Sequence, residues 1–92
     1  MTWEYYTVRG RVLEDAKHLT EGDRNATYGP PTAEYERLAR LWGAYLGIDL
    51  TAAQAAMCMA LLKLNRTIAS PDYRDNYVDL AAYAAIAFEA TG

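Results

Sequence analysis

Apolar residues recur at helical spacing in four stretches of the chain, and glycine, proline and polar turns separate these stretches. Because side chains three and four positions apart share one face of a helix, this period predicts amphipathic helices. The first helix is expected over about residues 8–20, with Val12, Ala16 and Leu19 on its apolar face. Gly22 is placed to end it.

The second helix is expected to start after two prolines, with Thr32 as its N-cap, and to stop at Gly47. Its predicted core positions are Tyr35, Leu38, Trp42, Tyr45 and Leu46.

A capping box formed by Thr51 and Gln54 predicts the start of the third helix. Its predicted core positions are Ala53, Ala56, Met57, Ala60, Leu61, Leu64 and Ile68. The opposite side is also apolar, so this helix is expected at the centre of a bundle or in an oligomer interface.

The segment Ser70-Pro71-Asp72 interrupts the pattern, and a fourth helix is expected over about residues 72–89. Its predicted core positions are Tyr73, Tyr77, Leu80, Ala81, Ala84 and Phe88. Four helices with short connections and no convincing strand pattern predict an all-α antiparallel four-helix bundle. Residues 1–92 fit a single domain. Residues 1–7 are expected either to be flexible or to contact a partner subunit.

Hydrophobic residues make up 52% of the chain, a high value for a small domain, which favours a homo-oligomer. The net charge is −3, from nine basic and twelve acidic residues. This balance argues against a DNA- or RNA-binding surface, which needs an excess of basic residues. A small phosphorylated ligand stays possible, because a local pocket of two or three cations suffices to bind it.

The N-terminal segment lacks the pattern of a signal peptide. The most apolar run, residues 52–62, is far shorter than the ~20 residues that span a bilayer. The chain is therefore expected in the cytoplasm, with no membrane partner.

Three aspartates, Asp72, Asp75 and Asp79, fall on one face of the fourth helix. The same face continues into Ala82, Tyr83 and Ile86, which indicates a partly buried acidic cluster. Carboxylates in such a setting are ligands that Mg²⁺ prefers.

Two cations, Lys63 and Arg66, lie near the end of the third helix. A short connection makes the third and fourth helices an antiparallel hairpin. These cations should therefore face residues 73–79, with Arg74 nearby. Charges of both signs would meet across the hairpin.

The loop before the second helix contains Arg24, Asn25 and Tyr28 between two glycines. An arginine beside a helix N-terminus is a favourable phosphate site, and Tyr28 could stack on a base. A structural interpretation stays open for all these groups. Asp72 would then cap the fourth helix, and Lys63 and Arg66 would form salt bridges that tie the hairpin.

An ordered series of motifs runs through the chain: Gly22-Asp23-Arg24-Asn25, Tyr28-Gly29-Pro30, Leu61-Leu62-Lys63 with Arg66, and Arg74-Asp75 with Val78-Asp79-Leu80-Ala81. Over about residues 10–88 this series resembles a group of small phage proteins, common in phages of actinobacteria, for which no function is established.

A more distant resemblance is to the all-α, MazG-like nucleotide pyrophosphohydrolases. In this resemblance, Asp75 and Asp79 correspond to the second acidic motif of that family. That resemblance implies Mg²⁺-dependent hydrolysis, with Glu34 or Glu36 assisting the two aspartates. This sequence departs from the family pattern because no Glu-Glu-x-x-Glu motif precedes them. Two-metal hydrolysis needs such a first acidic pair.

Three hypotheses follow. The chain is a phage protein that sequesters a phosphorylated nucleotide or a nucleotide-derived signal of host defence, or a Mg²⁺-dependent hydrolase, or a structural module with salt bridges alone. The absent acidic pair favours the binding protein, which needs no cofactor. The residues assigned to the ligand are Arg24, Asn25, Tyr28, Lys63, Arg66, Arg74, Asp75 and Asp79. Only the hydrolase would use Asp75 and Asp79 as metal ligands.

Overall fold

The computed structural model describes residues 7–22, 27 and 29–92. Within them, α1 spans Val8–Glu21, α2 spans Pro31–Leu46, α3 spans Ala52–Ala69 and α4 spans Arg74–Glu89. These described segments contain no strand, so the predicted all-α class is confirmed. None of the described helices is long and apolar enough to cross a membrane.

Local sequence explains most of the helix ends. The predicted capping box is present: the backbone N–H of Gln54 donates to the Thr51 hydroxyl at 3.1 Å, and the backbone N–H of Thr51 donates to Gln54 Oε1 at 2.9 Å. Gly47 ends α2 with φ +73°, a left-handed conformation that glycine adopts at little cost. Gly22 follows the last residue of α1, as expected.

Two predicted helix starts are wrong. The second helix begins at Pro31 with Pro30 as its N-cap, because proline at the first helical position has no N–H to satisfy. Thr32 therefore lies inside the helix. The fourth helix begins at Arg74, since residues 70–73 form a turn in which the Tyr73 N–H donates to the Ser70 carbonyl at 3.2 Å. Asp72 is consequently not its N-cap.

The hairpin of α3 and α4 forms the centre of the fold. The first helix packs mainly on α4, and α2 packs mainly on α3. One core cluster joins α2, α3 and α4 through Tyr35, Ala39, Ala55, Ala56, Ile86 and Ala87. A smaller cluster joins α1 to α4 through Ala16, Val78 and Ala82.

The core differs from the predicted stripes on the last three helices. Ala56, Ala60 and Tyr35 are buried as expected. Leu38 and Trp42 are half-buried against the core. Nine other large members of the predicted stripes are instead exposed, namely Tyr45, Leu46, Met57, Leu61, Leu64, Ile68, Tyr73, Tyr77 and Phe88. A helix that is apolar nearly all round has more than one apolar face, and periodicity alone does not select among them. Here the helices pack mostly through alanine faces, which permit close approach.

Candidate functional site

A cavity of about 360 Å³ lies between the C-terminal end of α3 and the N-terminal half of α4. Its lining residues are Lys63, Arg66, Ala69, Ser70, Tyr73, Asp75, Asn76 and Asp79. The structure thus brings together four of the residues that the sequence assigned to a ligand: two cations of α3 and two aspartates of α4. The antiparallel hairpin causes this meeting, because the end of one helix lies beside the start of the next.

One cation and one aspartate of the cavity form an ion pair. Lys63 Nζ lies 2.8 Å from Asp79 Oδ2, and the side chains are 13% and 26% exposed. The face of α4 that carries Asp79 continues into buried Ala82 and Ile86. Of the three predicted aspartates, however, only Asp79 is partly buried, because Asp75 is exposed and Asp72 precedes the helix. Removing either charge would leave the other poorly hydrated and unpaired. This pair therefore ties the hairpin, whatever else it does.

The other two charged residues of the cavity are Arg66 and Asp75. Within the described ranges, neither Arg66 nor Asp75 takes part in an ion pair. Both are exposed at the rim. Arg66 also lies in the last turn of α3, where a cation is favourable beside the helix carbonyls. The cavity thus keeps one guanidinium and one carboxylate for a polar ligand.

Asn76 is the cavity residue that the sequence analysis missed. Asn76 is only 5% exposed, and no described residue forms a hydrogen bond with its side chain. An unsatisfied buried polar group costs about 1–3 kcal/mol, so natural proteins keep few of them. A ligand in the cavity would supply the partner that this amide lacks.

A sequence signal for Asn76 was available. Asn76 lies four, seven and eleven positions before Leu80, Tyr83 and Ala87, so it shares their face of α4. These three residues are half-buried or buried. One amide on an otherwise apolar stripe indicates a polar group with a specific task.

Arg74 lies away from the other cations. Its Nη2 donates to Asp15 Oδ2 of α1 at 2.6 Å, with side chains 48% and 51% exposed. The pair lines a second recess, between α1 and α4, which Asp75 and Asp79 also border. Arg74 therefore faces α1 although it is only one position from Asp75, because each position along a helix turns the side chain by about 100°.

The remaining predicted site residues do not join the cavity. Arg24, Asn25 and Tyr28 lie outside the described residues, so their phosphate-binding and stacking roles stay predictions. Glu34 lies in the first turn of α2 and Glu36 is exposed on the same helix; neither lines the cavity.

The described carboxylates do not form a metal site. Across residues 7–22, 27 and 29–92, no group of three or more His, Cys, Asp or Glu side chains is placed to hold a metal ion. A Mg²⁺ ion at this cavity would find two described carboxylates, Asp75 and Asp79, and Lys63 already engages Asp79. This set does not fit a two-metal centre, which needs carboxylates from more than one helix.

Comparison with known proteins places the chain among phage proteins. Residues 11–91 match the model of a domain of unknown function, DUF6378. The Gene 55 protein of Mycobacterium phage L5 is 37% identical over 76 residues, which cover 82% of this chain and 49% of that protein. The Gene 55 protein of Mycobacterium phage D29 is 34% identical over 73 residues, which cover 79% and 48%. The chain thus spans about half the length of these relatives. No solved structure matches it significantly.

Proposed function

The chain belongs to the DUF6378 family of phage proteins, and we propose that it binds and sequesters a phosphorylated nucleotide or a nucleotide-derived signal of host defence. The single observation that carries this proposal is the cavity beside Asn76, where a buried amide and a guanidinium line one space, neither with a side-chain partner among the described residues. Such a combination suits a ligand that has both an anionic group and polar edges.

In this proposal, Asn76 and each charged residue of the cavity have a role. Arg66 binds a phosphate, since a guanidinium offers two parallel donors to it. Asn76 donates to and accepts from a ribose or base edge. Asp75 accepts from a ribose hydroxyl, while Asp79 holds Lys63 in place beside the phosphate.

The loop residues complete the proposed site. Arg24 and Asn25 would add donors to the phosphate, and Tyr28 would stack on the base. The structure places Arg74 on the α1 side, in an ion pair with Asp15, so the proposed site does not include it. The proposal further includes action in the cytoplasm of the infected host and an oligomer built from antiparallel helical bundles.

The test is a thermal-shift measurement of the full chain with nucleoside triphosphates, ADP-ribose derivatives and cyclic dinucleotides, each with and without Mg²⁺. A ligand at 100 times its Kd stabilises a protein by about 2.7 kcal/mol, which raises the Tm of a small domain by more than about 10 °C. Chromatography of the recovered ligand then separates the hypotheses. An intact ligand supports sequestration, whereas monophosphate with pyrophosphate would establish the MazG-like hydrolase in its place.

Arg66→Ala should abolish the ligand-induced shift, because it removes the unpaired cation of the cavity. Arg40→Ala is the matched control: Arg40 is an exposed helical arginine of α2 and does not line the cavity. If no compound raises the Tm of the unmodified chain, the proposal fails and the structural-module hypothesis replaces it.

A further inference from the structure

The α3–α4 hairpin carries a second surface, composed of exposed apolar residues. On α3, Met57, Leu61, Leu64 and Ile68 follow one another at intervals of four, three and four. All four are large apolar residues exposed to solvent. This spacing is the seven-residue repeat with which helices pack side by side.

The fourth helix, together with Tyr73 just before it, carries a matching stripe. Tyr73, Tyr77, Leu80, Ala84 and Phe88 follow at intervals of four, three, four and four. Four of the five are exposed, Phe88 by 80%, and Leu80 is half-buried. Both helices therefore present an interaction pattern that the described residues of one chain leave uncovered.

The two stripes adjoin each other. Met57 with Ala53, from α3, and Ala84 with Phe88, from α4, line one largely apolar groove of about 320 Å³. The Lys63–Asp79 pair shows that the helices run antiparallel, because residues before 63 on α3 lie opposite residues after 79 on α4. The stripes therefore run alongside each other, and we call their combined surface the apolar hairpin face.

The charged residues of the two helices are placed elsewhere. Lys63, Arg66, Asp75 and Asp79 line the charged cavity. Arg74 pairs with Asp15 of α1, and Glu89 borders a recess together with Thr20, Glu21 and Pro31. The two stripes thus contain no charged residue, and only Tyr73, at one end of the apolar hairpin face, also borders the charged cavity. The rest of the face matches an apolar surface.

The interior of the single chain is correspondingly thin. Seven of its buried positions are alanines: Ala16, Ala39, Ala55, Ala56, Ala60, Ala82 and Ala87. Among the described residues, the buried apolar positions other than alanine are Tyr35, Val78 and Ile86. Globular proteins normally bury their large aliphatic and aromatic residues, and a continuous exposed set marks an interaction surface.

We infer that the apolar hairpin face is the contact between two copies of this chain, related by a two-fold axis. Its seven large exposed side chains offer about 100 Å² each, on the order of 700 Å² per subunit, which is close to the ~800 Å² of a stable interface. A face without charge is complementary to itself, as a two-fold contact requires. The two hairpins would then form one antiparallel four-helix core.

Sedimentation equilibrium of the full chain, without nucleotide, tests this inference. The unmodified chain should be a dimer at micromolar concentration. Leu61→Glu should raise the dimer dissociation constant by more than about 100-fold, because symmetry places two carboxylates in one apolar contact. The matched control is Leu41→Glu. Leu41 lies on α2 and is 63% exposed, against 57% for Leu61, and the control should stay a dimer.

Far-UV circular dichroism checks that Leu61→Glu keeps its helices, and Phe88→Ser serves as a second variant that adds no charge. Either one should yield a helical monomer. A chain that is monomeric at every concentration, or one that associates only with a different protein, overturns the inference. The same holds if Leu41→Glu dissociates the dimer and Leu61→Glu does not. None of these outcomes depends on whether a nucleotide binds at the charged cavity.

Discussion

The two surfaces of the α3–α4 hairpin differ sharply in chemistry. One holds the charged cavity, where Lys63 pairs with Asp79 and where Arg66 and Asp75 have no ion-pair partner among the described residues. The other is the apolar hairpin face, whose two stripes contain no charged residue and which borders the charged cavity at Tyr73. Because the same two helices build both surfaces, one position along a helix decides which surface a side chain joins.

This division has a physical consequence. Interactions at the charged cavity are electrostatic and weaken when salt screens them, whereas apolar contact does not need charge. A hairpin with one surface of each kind can bind an anionic ligand and associate with a copy of itself through independent forces. Ligand binding and self-association should therefore be separable by mutation.

The largest expected effects come from two variants, each of which should abolish the function of one surface and leave that of the other intact. Leu61→Glu should produce a monomer that keeps the nucleotide-induced rise in Tm, while Arg66→Ala should lose that rise and stay a dimer. Each loss is expected to exceed about 100-fold in the affected dissociation constant. Sedimentation and thermal-shift measurements on both variants check this. A variant that loses both properties would show that the cavity and the apolar hairpin face depend on each other.

The next effect concerns the ion pair of the cavity. Asp79→Ala should lower the free energy of unfolding by about 2 kcal/mol, because it leaves the largely buried Lys63 ammonium without its partner. Urea denaturation measures the change.

The double variant Lys63→Met/Asp79→Leu sharpens this prediction. It replaces both charges by apolar groups and should recover most of the lost stability. If Asp79→Ala unfolds no more easily than the unmodified chain, the pair does not tie the hairpin.

The sequence was sufficient for the helices and insufficient for their packing. The capping box at Thr51 and the glycine stop at Gly47 are local features, and the structure contains both. The prediction that the large residues of the α3 and α4 stripes lie in the core was wrong, because both helices are apolar on several faces. Choosing among those faces depends on which neighbour approaches, and that information is distributed over the whole chain.

The same reasoning separates the site residues. The hairpin geometry brought Lys63 and Arg66 to Asp75 and Asp79, because a short connection determines which residues lie opposite one another. Arg74 was misplaced, since its orientation depends on α1, a helix distant in the sequence. Asn76 was overlooked because its importance lies in its burial, which becomes visible only when the helices are assembled.

A smaller effect is expected from the buried amide. Asn76→Leu should raise the free energy of unfolding by about 1 kcal/mol, because it removes an unsatisfied polar group, and should abolish the nucleotide-induced shift. Thermal denaturation with and without ligand measures both. Asn65→Leu, at an exposed asparagine of α3, should change neither. If Asn76→Leu instead lowers the free energy of unfolding clearly, the amide stabilises the fold without a ligand, and this prediction is wrong.

The smallest effect is expected from the ion pair on the α1 side. Arg74 and Asp15 lie only 2.6 Å apart, yet both side chains are about half exposed. Water and salt screen such a pair, so Arg74→Ala should cost about 0.5 kcal/mol, well below the effect of Asp79→Ala. Because Arg74 faces α1, the variant should also keep most of the nucleotide-induced shift. A loss as complete as that of Arg66→Ala would mean that the ligand extends past Asp75 into the recess between α1 and α4.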